Sequence, residues 1–255
     1  MTTGNQATEG MNVSPDGRWL VFDSTRSGNQ DIFKMPLEGG EPVQLTNDSA
    51  DDCCPAWSPD GTRIAFHSFR SGNRDIFVMS ADGGSVRQLT HHPAHDRYPT
   101  WSSDGKQIVF YSGRTSPGRL FIVSADKGEL QGEEPRPLTE GVSGFAAVWS
   151  PDGRWIAGDV SSKLSLISPD GSEIRTLVPQ GGVPIWSSDG HTLYYKEFDQ
   201  GDIWRISVSG GEPELLVHFE DPERPSIRSE WASDGKRFYF TLTEYEGDVW
   251  VMELQ

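Results

Sequence analysis

A chain of 255 residues with 22 Lys+Arg against 38 Asp+Glu carries a formal charge of −16. That balance disfavours nucleic acid as a partner, because binding to a phosphate backbone runs on Lys and Arg displacing counterions. The 28 glycines, 17 prolines and nine tryptophans among 35% hydrophobic residues argue against disorder and for a soluble, acidic, turn-rich globular protein.

No stretch approaches the roughly 20 apolar residues of a membrane span, so membrane insertion by this chain is not expected. The first ten residues, MTTGNQATEG, have neither a basic nor an apolar region, so no secretory signal is read there. As written the chain reads as cytoplasmic, and as periplasmic if it is part of a longer exported protein. Cys53 and Cys54 are sequence neighbours, whose side chains in a strand point to opposite faces. They are read as free thiols, and they carry no zinc spacing.

Self-similarity organises the whole chain. An Asp-Gly turn, preceded by the frame Ser-x in all but the last copy, places glycines at Gly17, Gly61, Gly105, Gly153, Gly190 and Gly235, at intervals of 44, 44, 48, 37 and 45 residues. In chain order, each unit opens with a strand that ends on Trp57, Trp101, Trp149, Trp186 or Trp231, with Val13 in the first copy. After the turn comes an apolar strand: WLVF from Trp19, RIAF from Arg63, QIVF from Gln107, WIAG from Trp155, TLYY from Thr192, RFYF from Arg237. The next is DIFKM from Asp31, DIFVM from Asp75, RLFIV from Arg119, KLSLI from Lys163, DIWRI from Asp202 and DVWVM from Asp248. A last strand ends at Leu45-Thr46, Leu89-Thr90, Leu138-Thr139, Leu177 or Leu216.

Asp-Gly supplies the positive backbone angles of tight hairpins, which is why it recurs between strands. Four short strands per ~40-residue unit predict an all-β, six-bladed β-propeller of four-stranded antiparallel blades. The units run over 10–46, 54–90, 98–139, 146–177, 183–216 and 228–255 of a single domain. The fourth is the most degraded, with a shortened second hairpin and no Asp-Ile-Phe.

Aligned backward from Ser14, Met1-Thr2 falls on the slot of Leu45-Thr46, and the chain stops after the third strand of the sixth unit. The last blade therefore lacks its own outermost strand. Either that blade is three-stranded, or the chain is the C-terminal part of a longer protein; the second is the preferred expectation.

The frame W-S-P-D-G-x-x-I-A-F-x-S-x-R-x-G-x-x-D-I-F-V-M-x-x-D-G-G, read from Trp57 to Gly84, resembles the TolB-like (WD-repeat-like) propeller family. The resemblance covers essentially the whole chain and is specific for fold rather than function. It implies a non-enzymatic binding or scaffold propeller whose partner is a protein or a small ligand, of the kind that contacts other proteins in the bacterial envelope. Propellers of this type also gate prolyl-oligopeptidase-like hydrolases, but no Gly-x-Ser-x-Gly elbow and no phosphate-binding glycine loop occurs, so no catalytic residue and no cofactor is assigned.

Candidate sites follow from strand direction. The Asp-Gly turns share one face of the ring; the Ser-x-Arg-x-Gly hairpins and the connections between blades share the other, where variable loops carry function. The recurring turn serines and aspartates read as structural. Arg26, Arg70 and Arg114 recur at one slot and either pair with local carboxylates or carbonyls, the favoured reading, or ring the mouth to bind an acidic ligand. The most individual loop holds His91, His92, His95, Asp96 and Arg97 beside the channel mouth. Asp52 aligns with Asp96, which suggests an acidic rim facing the channel. The rival expectation is a metal-dependent polysaccharide lyase or hydrolase working through these histidines, although their spacing matches no standard zinc pattern. A third is a propeller gating a catalytic domain encoded upstream. Phe219 to Pro225 reads as a rigid exposed loop.

Overall fold

A computed structural model of the chain describes residues 9–197, 202–218, 231–241 and 249–253. Met1-Thr2, the segment Phe219 to Pro225 and Asp248 lie outside the described residues. Five four-stranded antiparallel sheets and a sixth with three described strands form six propeller blades, each strand pairing with its sequence neighbours. Among the described residues helix is limited to two single turns, Thr25–Ser27 and Glu129–Gln131.

The turns explain the repeat. In the first blade, Gly17 sits at φ 68° and donates its N–H to the Ser14 carbonyl at 2.9 Å, a conformation that only glycine adopts without strain. Ser14 Oγ donates to Asp16 Oδ1 at 2.6 Å and accepts from the Trp19 amide at 2.9 Å. The same serine-to-aspartate bond recurs at Ser58, Ser102, Ser150 and Ser187. In the sixth blade Ala232 stands in the serine slot, and Asp234 alone caps the amides of Lys236 and Arg237 at 2.8 and 2.7 Å. Ser168-Pro169-Asp170-Gly171 builds the same turn between the last two strands of the fourth blade.

The degraded fourth unit keeps all four strands. Ser161 and Ser162, at φ 53° and 66°, make a two-residue hairpin in place of the longer Ser-x-Arg-x-Gly loop.

Apolar side chains pack between blades rather than in one central core. Ala56, Ile76 and Leu89 of the second blade meet Trp101, Ile108 and Phe110 of the third. Where first and last blades meet, Met11, Leu20 and Phe22 pack against Ala232 and Tyr239, and among the described residues no sheet spans that junction. Tryptophan indoles tie successive blades together, Trp101 Nε1 donating to the Ala56 carbonyl at 3.0 Å, Trp186 to Val148 at 3.1 Å and Trp231 to Val183 at 2.9 Å.

Candidate functional site at the channel mouth

The innermost strands enclose a central cavity of about 310 Å³. Its wall is shaped by one repeated irregularity. In blades two to five the pairing with the neighbouring strand shifts register, and the residue three before the tryptophan takes a left-handed conformation: Cys54 at φ 55°, Tyr98 at 55°, Ala146 at 45°, Val183 at 51°. Such bulges re-aim side chains, here toward the axis. Pro55, Pro99 and Pro184 follow directly, at the free edge of each sheet where the missing N–H costs no ladder bond. This Pro-x-Trp frame is visible in the sequence.

The loops above the cavity are held by a second repeated device. Asn29 Nδ2 donates to the carbonyls of Asp48 and Ala50 at 3.0 and 3.1 Å, and Asn73 Nδ2 to those of His92 and Ala94 at 2.9 and 3.0 Å. The asparagine of each Ser-Gly-Asn hairpin thus clamps the connection to the next blade. His91 is exposed, and its amide donates to Glu129 Oε2. His92 Nδ1 accepts from the Ala94 amide at 3.0 Å, and His95 Nδ1 from the Arg74 amide at 3.2 Å. An Nδ1 that accepts leaves the proton of the neutral ring on Nε2. A metal-ligating histidine needs the reverse, one nitrogen open and the other donating to a second-shell acceptor. Among the described residues no group of three or more His, Cys, Asp or Glu comes together that could hold a metal ion.

The aligned aspartates do not form an exposed rim. Asp52 and Asp96 are fully buried. Arg70 Nη2 donates to both Asp52 oxygens at 2.9 and 2.7 Å; Arg114 Nη2 meets Asp96 Oδ2 at 2.8 Å, while its Nη1 reaches Glu129 at 2.8 Å. Burial pushes the Asp96 carboxyl up to about 6 despite the Arg114 charge beside it.

Each of these arginines donates Nε to a serine, Arg26 to Ser24, Arg70 to Ser68 and Arg114 to Ser112, and lies over two phenylalanines of its own sheet. Arg26 has no ion pair among the described residues. Their shared slot packs each guanidinium against its own blade.

Arg97 is brought to a different cluster. Its neighbours are His67, wholly buried on the strand behind, and Tyr98, which lines the cavity. The His67 and Tyr98 rings meet edge to face at 5.8 Å. Burial, then the charges of Arg74, Arg97 and His95, drives the His67 imidazole down to about 3. One blade earlier Asp23 occupies the equivalent position, its carboxyl pushed up to about 7 by burial while accepting from the Cys54 amide at 2.7 Å. Cys53 and Cys54 are buried, and burial raises the Cys53 thiol. His67, Arg74 and Asp23 were not singled out in the sequence, because only their juxtaposition makes them unusual.

A profile described as the TolB beta propeller domain matches residues 5–182. An uncharacterized protein of Agrobacterium fabrum is 33% identical over 55 residues, 22% of this chain, and the match spans only 19% of that protein. A structure assigned as TolB from Agrobacterium tumefaciens superposes with a TM-score of 0.73 at 22% identity, over 98% of this chain and 91% of that one. TolB from Acinetobacter baumannii gives a TM-score of 0.68 at 20% identity over 84% of this chain, and the match spans 56% of that protein. An oligogalacturonate lyase from Vibrio parahaemolyticus gives 0.61 at 12% identity, over 99% and 91%, a likeness of fold alone.

Proposed function

Because this chain belongs to the TolB beta propeller domain family, we propose that it is a binding propeller that recognises a protein or small ligand at the channel mouth and the loops around it. The observation that carries this reading is the contrast between the two faces. On one, near-identical serine–aspartate turns repeat around the ring. On the other, blades of common geometry present unlike side chains, among them Cys54, Tyr98, Phe145 and Val183, around a cavity with half-buried aromatic walls. A rigid scaffold with individual residues at one end is how propellers build a recognition surface without catalytic groups.

The second reading, a metal-dependent lyase acting through His91, His92, His95 and Asp96, is not favoured. Asp96 is committed to Arg114, and the Nδ1 atoms of His92 and His95 are committed to backbone amides.

The test is site-specific photo-crosslinking in the organism that makes the protein. A crosslinking side chain at Ala94, on the mouth face, should give a discrete adduct that a Pro99→Trp plug in the channel removes. The same group at Asp170, on the opposite face, should give none. Adducts from Asp170 alone, or adducts from Ala94 that ignore the plug, would overturn the proposal.

A further inference from the structure

Two successive junctions between blades share one backbone frame and carry opposite chemistry. In the first, Asp23 sits on the second strand of blade one. Its Oδ1 accepts from the Glu9 amide at 2.5 Å and from Gln30 Nε2 at 3.4 Å, and its Oδ2 from the Cys54 amide at 2.7 Å. Cys53 Sγ donates to Gln30 Oε1 at 3.2 Å, and Asp51 Oδ1 accepts from the Gln30 amide at 3.1 Å. The buried polar groups of this junction are satisfied by one another.

Forty-four residues on, every position recurs in register. His67 pairs with Cys53 and Ile76 as Asp23 pairs with Ile32; Arg74 replaces Gln30, His95 replaces Asp51, and Arg97 replaces Cys53. The His95 ring even takes the hydrogen bond of Asp51, accepting from the Arg74 amide at 3.2 Å. Two carboxylates have become two imidazoles, and two neutral side chains have become two guanidiniums.

The second junction is unsatisfied as it stands. Both ring nitrogens of His67, 1% exposed, and the Nε atoms of Arg74 and Arg97 are buried without a hydrogen-bond partner among the described residues. Neither arginine forms an ion pair among them. The Arg74 guanidinium carbon lies 4.3 Å from the centroid of the Phe69 ring, a cation–π contact that uses none of its N–H donors. The charged groups bearing on His67 are Arg74, Arg97 and His95, all basic. Unpaired buried donors of this kind are destabilising until a partner satisfies them. In a chain of net charge −16, two adjacent unpaired guanidiniums are a marked local exception.

We propose that the junction of the second and third blades binds a carboxylate brought in from the channel mouth, seated against Arg74, Arg97 and His67, the residue that stands in place of Asp23. This rests on the reading of the mouth as the binding end and names the chemical class of its ligand. The paired guanidiniums supply charge-assisted bonds, and Tyr98, half-buried between the cluster and the cavity, forms its gate. The carboxylate is carried either by an acidic side chain of a partner protein or by a small free acid; the chemistry of capture is the same.

The test uses the full chain labelled with nitrogen-15, titrated with sodium acetate against sodium chloride at matched ionic strength. Acetate should shift the Nε–H signals of Arg74 and Arg97 and the Tyr98 amide saturably, and chloride should not. Arg97→Gln and Arg74→Gln should each weaken the acetate response at least tenfold. His67→Asp places the missing carboxylate inside the protein, so it should abolish acetate binding and raise the melting temperature by several degrees. A chain that responds equally to both salts, variants that bind acetate like the parent, or a His67→Asp chain that melts lower and still binds acetate would each overturn the proposal. Glutarate and an acetylated, amidated Gly-Glu-Gly peptide then separate the two sources, the tighter of them identifying a small acid or a protein side chain. Loss of acetate binding with the Ala94 crosslink intact would sink this site alone, whereas acetate binding without that crosslink would sink the wider reading of the mouth.

Discussion

Arg70 Nη2 spans both oxygens of Asp52, at 2.9 and 2.7 Å, beneath a surface that leaves that carboxylate no exposure at all. Burial raises the Asp52 pKa, and hydrogen bonds from Ser68 and Arg70 and the arginine's charge oppose that rise. Removing one partner of such a pair leaves an uncompensated charge, so Arg70→Met should cost about 3–5 kcal/mol in urea unfolding. Adding Asp52→Asn should recover much of that loss. A cost below about 1 kcal/mol for Arg70→Met would instead suit an arginine kept for a ligand.

The indoles of the repeat divide by whether they reach the preceding blade. Trp186 Nε1 donates to the Val148 carbonyl at 3.1 Å, whereas Trp149 Nε1 is buried without a partner among the described residues. Phenylalanine at either position loses similar ring area. Only at 186 does it also strand a carbonyl, while at 149 it removes an unpaired donor. Trp186→Phe should therefore be the more destabilising by about 1–2 kcal/mol. Equal costs in chemical denaturation would mean that ring packing, not the bond between blades, fixes the tryptophan slot.

Two glycines separate conformational from steric demand. A Cβ on Gly17 would meet nothing within 4 Å, so alanine there pays only for its φ of 68°, about 1 kcal/mol. A Cβ on Gly128, at φ 70°, would stand 2.6 Å from the Leu89 carbonyl oxygen and 2.9 Å from its Cα. Gly128→Ala should cost clearly more, because backbone must move. Thermal melts of the two variants check the order.

The blade frame was legible because it is built from short-range chemistry. Ser14, Asp16 and Gly17 close one turn among themselves, so spacing alone exposes the Asp-Gly pair in every copy and the serine in all but the last. The Arg70–Asp52 pair was half legible: both residues recur, and pairing was the favoured reading, but burial turned the expected acidic rim of Asp52 and Asp96 into interior ion pairs. The cluster at His67 was not legible. Its members lie on three separate segments, each ordinary on its own, and what sets them apart is the absence of any carboxylate where the previous junction has Asp23. Only the folded register brings that difference into view. Likewise the left-handed residues Cys54, Tyr98, Ala146 and Val183 share no side-chain type, and only the Pro-x-Trp frame after three of them marks the bulge that shapes the channel.

His67 also sets an acid dependence whose sign can be worked out. Burial and the three basic neighbours hold its folded pKa near about 3, against 6.5 for the free side chain. Between those values the unfolded chain binds a proton that the folded one refuses, so this residue's contribution is complete above pH 6.5 and is lost as pH falls toward 3. Asp23 and Asp96, pushed up to about 7 and about 6, act in the opposite sense, adding stability at low pH that disappears as pH rises through those values. The parent curve mixes all three, so the informative quantity is its difference from His67→Gln, which leaves both aspartates in place. With each pKa unit worth about 1.4 kcal/mol, that difference should swing toward the glutamine variant by about 3 kcal/mol between pH 7 and pH 4. Urea unfolding of both proteins at intervals across that range measures it. A difference independent of pH would mean that His67 takes up its proton in the folded state as readily as in the unfolded one, and that the basic cluster around it does not act on the ring.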